Sequence, residues 1–168
     1  MNTDEKRIYL EAFGDEDGFA DRLFDAFGDI IETKKSDGKT VSILFHLPCT
    51  LKTESEQIPA KYIFAAATDN AYRGRGYMSE LIERVCKDDN CFYFLRPANR
   101  GLIGYYSRLG FKEIKGIGSC DNLPRIDVCD RHKELAGGVC EKGEFTLMYR
   151  YSKPIDITEL HFGYSMLV

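Results

Sequence analysis

The sequence predicts an α/β (α+β) fold in which helices flank a mixed central sheet. Two short, almost continuously apolar runs, residues 61–68 and 91–95, are typical of strands that are buried on both faces. A helical pattern follows each run. An Asp-Gly pair at residues 37–38 separates two further strand-like segments and is typical of a tight hairpin turn. Strands that alternate with helices in a chain of 168 residues indicate one layered domain.

The composition is that of an ordinary folded protein. It is 43% hydrophobic and 30% charged with five prolines, which argues against disorder and low complexity. The formal net charge of −4 argues against a basic surface for nucleic acid. The charge is uneven, because residues 1–30 hold nine acids and three bases, whereas residues 61–118 hold ten bases and six acids. We therefore expect an anionic ligand to bind the basic middle of the chain.

Two helices are predicted near the start of the chain. Residues 4–13 have a weak amphipathic pattern. A stronger one follows in residues 19–27, where Phe and Leu recur at helical spacing before Gly28. Asp15 or Asp17 is placed to cap this second helix.

The hairpin and the first buried strand come next. Residues 30–35 and 40–47 flank the Asp-Gly turn, and we expect Pro48 and the polar residues 52–57 to form a loop. Residues 61–68 are the first buried strand, and the helix after it begins near Met78.

The second buried strand, residues 91–95, is followed by a helix that Asn99 can cap and that Gly110 ends. Residues 111–117 and 145–151 are predicted as the last two strands. The long connection between them, residues 119–144, is a cysteine-bearing insertion. We place the domain at residues 1–152 and a tail at residues 153–168.

The six cysteines are predicted to be reduced thiols in a cytoplasmic protein, because the N-terminus carries no export signal. No apolar run reaches the roughly 20 residues that span a bilayer. Four residues of the insertion have the residue types of a zinc site: Cys120, Cys129, His132 and Cys140. Because the chain contains no Cys-x-x-Cys pair, ordinary thiols are the favoured interpretation and we expect no metal.

The most informative stretch is a glycine-rich turn between the first buried strand and its helix. A helix N-terminus presents unpaired backbone N–H groups and a partial positive charge. Gly74 and Gly76 remove the Cβ atoms that would keep a phosphate from those amides, and Arg73 and Arg75 add positive charge. The turn therefore predicts a pyrophosphate-binding loop, with a turn that binds no ligand as the alternative.

Two known phosphate-binding loops do not fit this turn. The Walker pattern, Gly-x-x-x-x-Gly-Lys-Ser/Thr, does not occur in the chain. The dinucleotide pattern requires a third glycine where Ser79 stands and an acid about 20 residues later, where residues 94–96 are Phe-Leu-Arg.

The third candidate carries a family resemblance. Residues 66–78, AATDNAYRGRGYM, contain a strand-to-helix motif that resembles the acyl-CoA-binding signature of the GNAT acetyltransferases, Gln/Arg-x-x-Gly-x-Gly/Ala. A second motif supports it, since Asn99 is followed by Tyr106 and then by Gly110-Phe111, as in a later helix of that family. The resemblance covers roughly residues 4–152.

The resemblance implies a mostly antiparallel central sheet flanked by helices, and three features depart from the family pattern. Ala71 stands where Gln or Arg is usual. The usual first strand is missing, so the sheet lacks an edge strand or takes one from elsewhere, such as the tail. The insertion at 119–144 is not part of the common pattern.

The resemblance also implies which residues bind the acyl donor. The backbone of Ala66, Ala67 and Thr68 would hydrogen-bond the pantetheine arm, and Asn99 would contact the cofactor. The pyrophosphate would be held by Arg73, Gly74, Arg75, Gly76, Tyr77 and Met78. Tyr106 would lie near the thioester sulfur. The alternatives are that Asn99 is only a helix cap and that Tyr106 is only a core tyrosine.

The implied chemistry assigns Tyr106 as the general acid. A lysine-like amine has a pKa of about 10.4, so the site must favour its neutral form. A backbone N–H near residues 66–68 can stabilise the oxyanion, and a phenol can return a proton to the leaving thiolate. No base is evident, because Glu54 and Glu56 fit a solvated loop better.

We therefore predict an N-acetyltransferase that moves an acetyl group from acetyl-CoA to an amine by direct attack in a ternary complex. The acceptor is a small-molecule or protein amine, with neither nucleic acid nor membrane as a partner, and a homodimer is compatible with this reading. One alternative is a catalytically silent acyl-CoA-binding module. Another is an interaction subunit whose apolar tail adds a strand to a partner's sheet: Phe162, Tyr164, Met166, Leu167 and Val168.

Overall fold

The computed structural model describes residues 3–15 and 18–166, which contain five α-helices and eight strands. The helices are α1 (Thr3–Phe13), α2 (Phe19–Phe27), α3 (Tyr77–Val85), α4 (Ile103–Arg108) and α5 (Asp130–Leu135). The strands are β1 (Ile31–Ser36), β2 (Lys39–Lys52), β3 (Gln57–Thr68), β4 (Phe92–Leu95), β5 (Lys112–Ile117), β6 (Arg125–Val128), β7 (Glu144–Arg150) and β8 (Glu159–His161).

The predicted fold class is confirmed: helices flank a mixed and mostly antiparallel sheet. The strands follow one another in the order β1-β2-β3-β4-β7-β5-β8-β6. The pairs β1–β2, β2–β6, β4–β7 and β5–β7 are antiparallel, whereas β3–β4, β5–β8 and β6–β8 are parallel. No helix in the described part of the chain is both long and apolar enough to cross a bilayer.

The described residues divide into two compact units. The first comprises residues 3–15, 18–47 and 63–87, and the second comprises residues 48–62 and 88–166. The long strands β2 and β3 each run from one unit into the other.

The first unit contains the two N-terminal helices, the hairpin and α3. The hairpin turns at Asp37 and Gly38, both with positive φ, and pairs Ser36 with Lys39, so the predicted Asp-Gly turn is confirmed. Helix α2 buries one apolar face, including Leu23 and Phe27. Asp15 accepts a hydrogen bond from the Ala20 N–H near the start of α2, whereas Asp17 lies outside the described residues.

The second unit contains a closed ring of seven strands. Residues 60–62 of β3 pair with β4, and the pairing continues through β7, β5, β8 and β6. The ring closes because residues 49–52 of β2 pair antiparallel with β6. The core includes Phe92, Phe94 and Phe162, none of which is exposed.

Three segments differ from the sequence prediction: the region around Pro48, the insertion and the tail. The predicted loop at Pro48 is part of β2, which continues to Lys52, and the turn is confined to residues 53–56. Proline has no backbone N–H to donate, so it usually indicates the end of a strand. Pro48 nevertheless lies within β2, at an exposed position. The strands near 111–117 and 145–151 are not the last pair, because the insertion contains β6 and α5 and the tail contains β8.

The tail provides a strand, although not in the place of the missing first strand. Strand β8 pairs in parallel with β5 at Lys115–Ile117 and meets β6 at Arg125. Phe162 and Met166 are buried within this chain, so these two apolar residues are not free to extend a partner's sheet. Leu167 and Val168 lie outside the described residues.

The expectation of six reduced thiols is wrong for two cysteines. Cys120 and Cys140 form a disulfide within the insertion, with their Cα atoms 6.4 Å apart. The other four cysteines are free thiols. The sequence favoured thiols because it shows no export signal, whereas pairing depends on how the insertion folds back on itself.

Candidate functional site

The loop between β3 and α3 is anchored at its start by Asp69. One carboxylate oxygen accepts the Ala71 N–H at 2.9 Å, and the other accepts a hydrogen bond from Arg7 at 2.7 Å. These contacts, the Ala71 bond first and the Arg7 bond second, hold the pKa of Asp69 below its usual value. The Tyr72 N–H in turn donates to the Asp69 carbonyl. The loop therefore leaves the strand in a fixed conformation.

Gly74 and Gly76 have the backbone conformation that the predicted loop requires. Their φ angles are +77° and +79°, in the region that side chains other than glycine rarely adopt. A Cβ at either position would find no atom within 4 Å, so the space beside both residues is open. A ligand can therefore approach the backbone closely at this turn.

Helix α3 begins directly after this open turn. Gly76 is its N-cap residue and supplies no capping side chain. The first backbone N–H groups of a helix lack partners within the helix, and the helix dipole makes this end positive. The nine-residue α3 therefore presents its N-terminus to a bound anion.

Two exposed arginines add positive charge beside the turn. Arg73 donates from Nε to the Thr68 carbonyl at 3.2 Å. Arg75 lies over the Tyr72 ring at 5.0 Å from its centroid. In the part of the chain that the structure describes, neither arginine pairs with a carboxylate. The positive charge is therefore available to a ligand.

The end of β3 carries the residues predicted to contact the pantetheine arm. Ala66 and Thr68 are partly exposed and Ala67 is buried. Thr68 bonds through its hydroxyl to Ser42 Oγ at 2.7 Å. Ala65, just before them in the same strand, has a positive φ of +51°. Sequence reasoning missed this irregularity, because alanine carries no signal for a left-handed conformation.

Asn99 and Tyr106 belong to the second unit. Asn99 is exposed and stands at the N-cap position of a short 3₁₀ turn, Arg100–Leu102, but its side chain makes no capping hydrogen bond. It lines a depression of about 250 Å³ with the following residues: Arg96, Pro97, Ala98, Arg100, Ile103, Phe145 and Thr146.

Tyr106 lies on α4 and is only 8% exposed. Its ring packs edge-on against Tyr105 and Phe111, at centroid distances of 5.2 and 6.0 Å. Burial raises the pKa of its phenol to about 12. The phenol is therefore protonated at neutral pH and has a proton to donate.

A polar cluster in the second unit was not predicted from the sequence. Arg96 Nη1 lies 2.6 Å from Glu141 Oε1 and 3.5 Å from Ser165 Oγ, and its guanidinium stacks over the Phe145 ring at 4.4 Å. Tyr62 also hydrogen-bonds Ser165, and burial raises its pKa. These residues are far apart in the sequence and form no motif, so only the fold brings them together.

The structure also bears on the candidate base residues and on the candidate zinc ligands. Glu54 and Glu56 are exposed in the turn between β2 and β3, as a solvated loop would place them. The four residues of the insertion cannot bind zinc together, because two of them, Cys120 and Cys140, are bonded to each other as a disulfide. Among the described residues, no cluster of three or more His, Cys, Asp or Glu side chains is arranged to hold a metal.

Comparison of sequences places the chain in a family. A family profile for an acetyltransferase (GNAT) domain matches residues 6–114, which is more than half of the chain. The protein belongs to this family. No curated protein sequence matches the chain.

Solved structures share the fold at low sequence identity. A probable N-acyltransferase from Enterococcus faecalis is 17% identical with a TM-score of 0.56; the match covers 67% of this chain and 31% of that one. A structure from Corynebacterium glutamicum, described as histone acetyltransferase HPA2 and related acetyltransferase, is 16% identical with a TM-score of 0.56. That match covers 89% of this chain and 90% of the other. Arabidopsis thaliana Naa50, solved with the bisubstrate analogue CoA-Ac-MVNAL, is 16% identical with a TM-score of 0.52, covering 87% and 89%.

Proposed function

We propose that this protein transfers an acetyl group from acetyl-CoA to an amine. The observation that carries the proposal is the open turn at residues 73–76, where two glycines with positive φ and two exposed arginines precede an uncapped helix N-terminus. This arrangement suits the diphosphate of a CoA thioester. Membership of the GNAT family and the structural neighbour solved with a CoA-peptide analogue support it.

The residues assigned to the donor follow the family motif. The N–H groups at the start of α3 would bind the diphosphate together with Arg73, Gly74, Arg75, Gly76, Tyr77 and Met78. The backbone of Ala66, Ala67 and Thr68 would hydrogen-bond the pantetheine arm, and Asn99 would contact the same ligand. Bound acetyl-CoA supplies an activated thioester carbonyl.

The proposed general acid is Tyr106. A thiol of pKa about 8.5 is a stronger acid than a phenol, so transfer of the Tyr106 proton to the thiolate is uphill, and burial of the phenol makes it more so. The proton moves only as negative charge develops on the sulfur, and the phenolate that remains takes a proton back from solvent. The acceptor amine attacks directly in a ternary complex after losing its own proton, for which we assign no residue.

The acceptor class is proposed as a small-molecule or protein amine. The Naa50 neighbour was solved with a peptide-like analogue, which favours testing N-terminal peptide amines beside small ones. A cytoplasmic location and a homodimer remain predictions from the sequence.

The first test is calorimetric titration with acetyl-CoA, with desulfo-CoA as the comparison and thiol release measured in parallel. We expect saturable micromolar binding and thiol release that rises with an added amine. Binding without release for any amine would favour a silent acyl-CoA-binding module. No binding of either ligand would overturn the proposal.

Removing the two loop arginines tests the assigned diphosphate site. We expect Arg73→Ala/Arg75→Ala to weaken acetyl-CoA binding at least tenfold, because two charges near the phosphates are lost. Lys87→Ala/Lys112→Ala removes two exposed charges outside the loop and is the matched control. Equal weakening by both double variants would indicate a general charge effect instead of a local site.

A further inference from the structure

The C-terminal segment of residues 162–166, named the strap, covers the polar cluster of the second unit. Phe162 is fully buried beside Tyr62 and Phe94, with ring centroids 5.1 and 5.2 Å away. Ser165 contacts Arg96 and bonds Tyr62. The strap thus lies over the residues that surround the end of β4.

The strap rests directly on the Cys120–Cys140 disulfide. A Cβ at Gly163 would collide with both sulfur atoms, so only glycine fits there. The Gly163 carbonyl accepts the N–H of Glu141, the residue after Cys140. A change at the disulfide therefore affects the strap directly, because Gly163 packs against the sulfurs and accepts the Glu141 hydrogen bond.

The insertion holds the strap at a second point. His132 is fully buried, and its Nε2 donates to the Tyr164 carbonyl at 2.7 Å, since a carbonyl can only accept. The ring stacks on Tyr62 at 5.9 Å. His132 belongs to α5, which lies between the two cysteines in the sequence.

When the strap lies over the polar cluster, two buried polar atoms have no hydrogen-bond partner. Glu141 Oε2 and His132 Nδ1 are buried and have no hydrogen-bond partner. Each such atom destabilises the covered state, because it has lost water without gaining a bond. Burial of Phe162 and Met166 opposes this loss, and so does the disulfide, which restricts the insertion.

We propose that Cys120–Cys140 is a thiol–disulfide exchange site whose redox state controls the strap. Both cysteines are partly exposed, so a small dithiol can reach them. One thiolate of the dithiol attacks a sulfur and breaks the S–S bond, and the released thiolate takes a proton. The second thiol then closes the reagent's own disulfide and frees the other cysteine. With the link broken, the strap opens more often and exposes Arg96 and Glu141 to solvent.

This inference goes beyond the proposed function and does not need acetyl transfer for its test. Amide hydrogen exchange of the full chain is measured with and without dithiothreitol. We expect the amides of Glu141 and Phe162 to exchange about tenfold faster after reduction, because they bond to Gly163 and Ile117 across the strap. Amides of the β1–β2 hairpin are the internal reference.

Two variants separate the disulfide from the strap. Cys120→Ser/Cys140→Ser should match the reduced protein in both conditions, with Cys129→Ser, a free thiol of the same insertion, as the control. Gly163→Ala should speed exchange at Glu141 even under oxidising conditions, because its methyl group meets the sulfurs. Gly28→Ala, which meets no atom within 4 Å, is the matched control.

Thiol counting makes the result decisive. Protein denatured after purification without reductant should show four thiols, and reduced protein should show six. Six thiols before reduction would overturn the inference. Unchanged exchange at Glu141 and Phe162 after two thiols have appeared would overturn it as well.

Discussion

Tyr106 combines a nearly buried ring with a phenol that stays protonated at neutral pH. If it returns the proton to the leaving thiolate, Tyr106→Phe should lower kcat by 10²–10⁴-fold, about the contribution of a general acid. Binding of acetyl-CoA, measured by calorimetry, should change little, because only a hydroxyl is removed.

Tyr105→Phe is the matched control for this change. Tyr105 precedes Tyr106 on the same helix and is more exposed. It should retain most of its kcat. Undiminished turnover of Tyr106→Phe would reject the acid role and leave Tyr106 as a core tyrosine.

His132 gives the protein a defined pH dependence. Burial lowers its pKa from the usual 6.5 to about 4, so the folded state keeps the ring neutral. Between these values the unfolded chain binds more protons than the folded one. The free energy of unfolding should therefore fall as the pH drops from about 6.5 toward 4, by up to about 1.4 kcal/mol per pH unit.

Urea unfolding of the wild type and His132→Gln at several pH values measures this contribution. The glutamine amide can still donate to the Tyr164 carbonyl but does not titrate. The variant should lose less stability on acidification than the wild type. Parallel curves for the two proteins would show that His132 does not carry the effect.

Spacing along the chain is what made some site residues predictable. Two short motifs contain these residues at fixed spacing. Gly74 and Gly76 belong to the turn before α3, and Asn99 and Tyr106 belong to the stretch that includes α4, so each pair can be picked out from the sequence alone. Their roles remain predictions. Glu141 could not be found in this way, because its partner Arg96 is 45 residues away and no local pattern joins them.

The turn into α3 depends on Gly76 at the scale of the element. Alanine at its φ of +79° is strained, so Gly76→Ala should lower the free energy of unfolding by about 1 kcal/mol. Gly28 ends α2 at a φ of −61°, which alanine adopts readily. Gly28→Ala should be neutral or slightly stabilising. Equal losses for the two variants, measured by urea unfolding, would contradict the assigned loop conformation.

The elements that the sequence predicted well are those with a strong local period. The helix pattern around Leu81 and the apolar run of β4 needed no partner to be recognised. Strands β6 and β8 have only four and three residues, and they are strands because neighbours in the ring pair with them. Such short segments carry too few residues for a period to be seen.

At the scale of the whole molecule, the tail is part of the core. Phe162 is fully buried against Tyr62 and Phe94, so Phe162→Ala should lower the free energy of unfolding by about 3–5 kcal/mol. Val139 is 72% exposed, and Val139→Ala should change it by less than about 0.5 kcal/mol. A small loss for Phe162→Ala in urea unfolding would mean that the tail packs only loosely.

The closed ring of strands sets the order in which the chain can fold during synthesis. Strand β2 cannot pair with β6 until β6, more than 70 residues later, has been synthesised. Strands β5 and β6 likewise cannot pair with β8 until β8 has been synthesised. Pairing over such sequence distances is slow, because the loop entropy is lost before the contacts form. The hairpin and the N-terminal helices can form while the ribosome is still translating. The second unit can close only after His161 has left the exit tunnel, so a stalled nascent chain would expose the unpaired edges of β2 and β5 to chaperones.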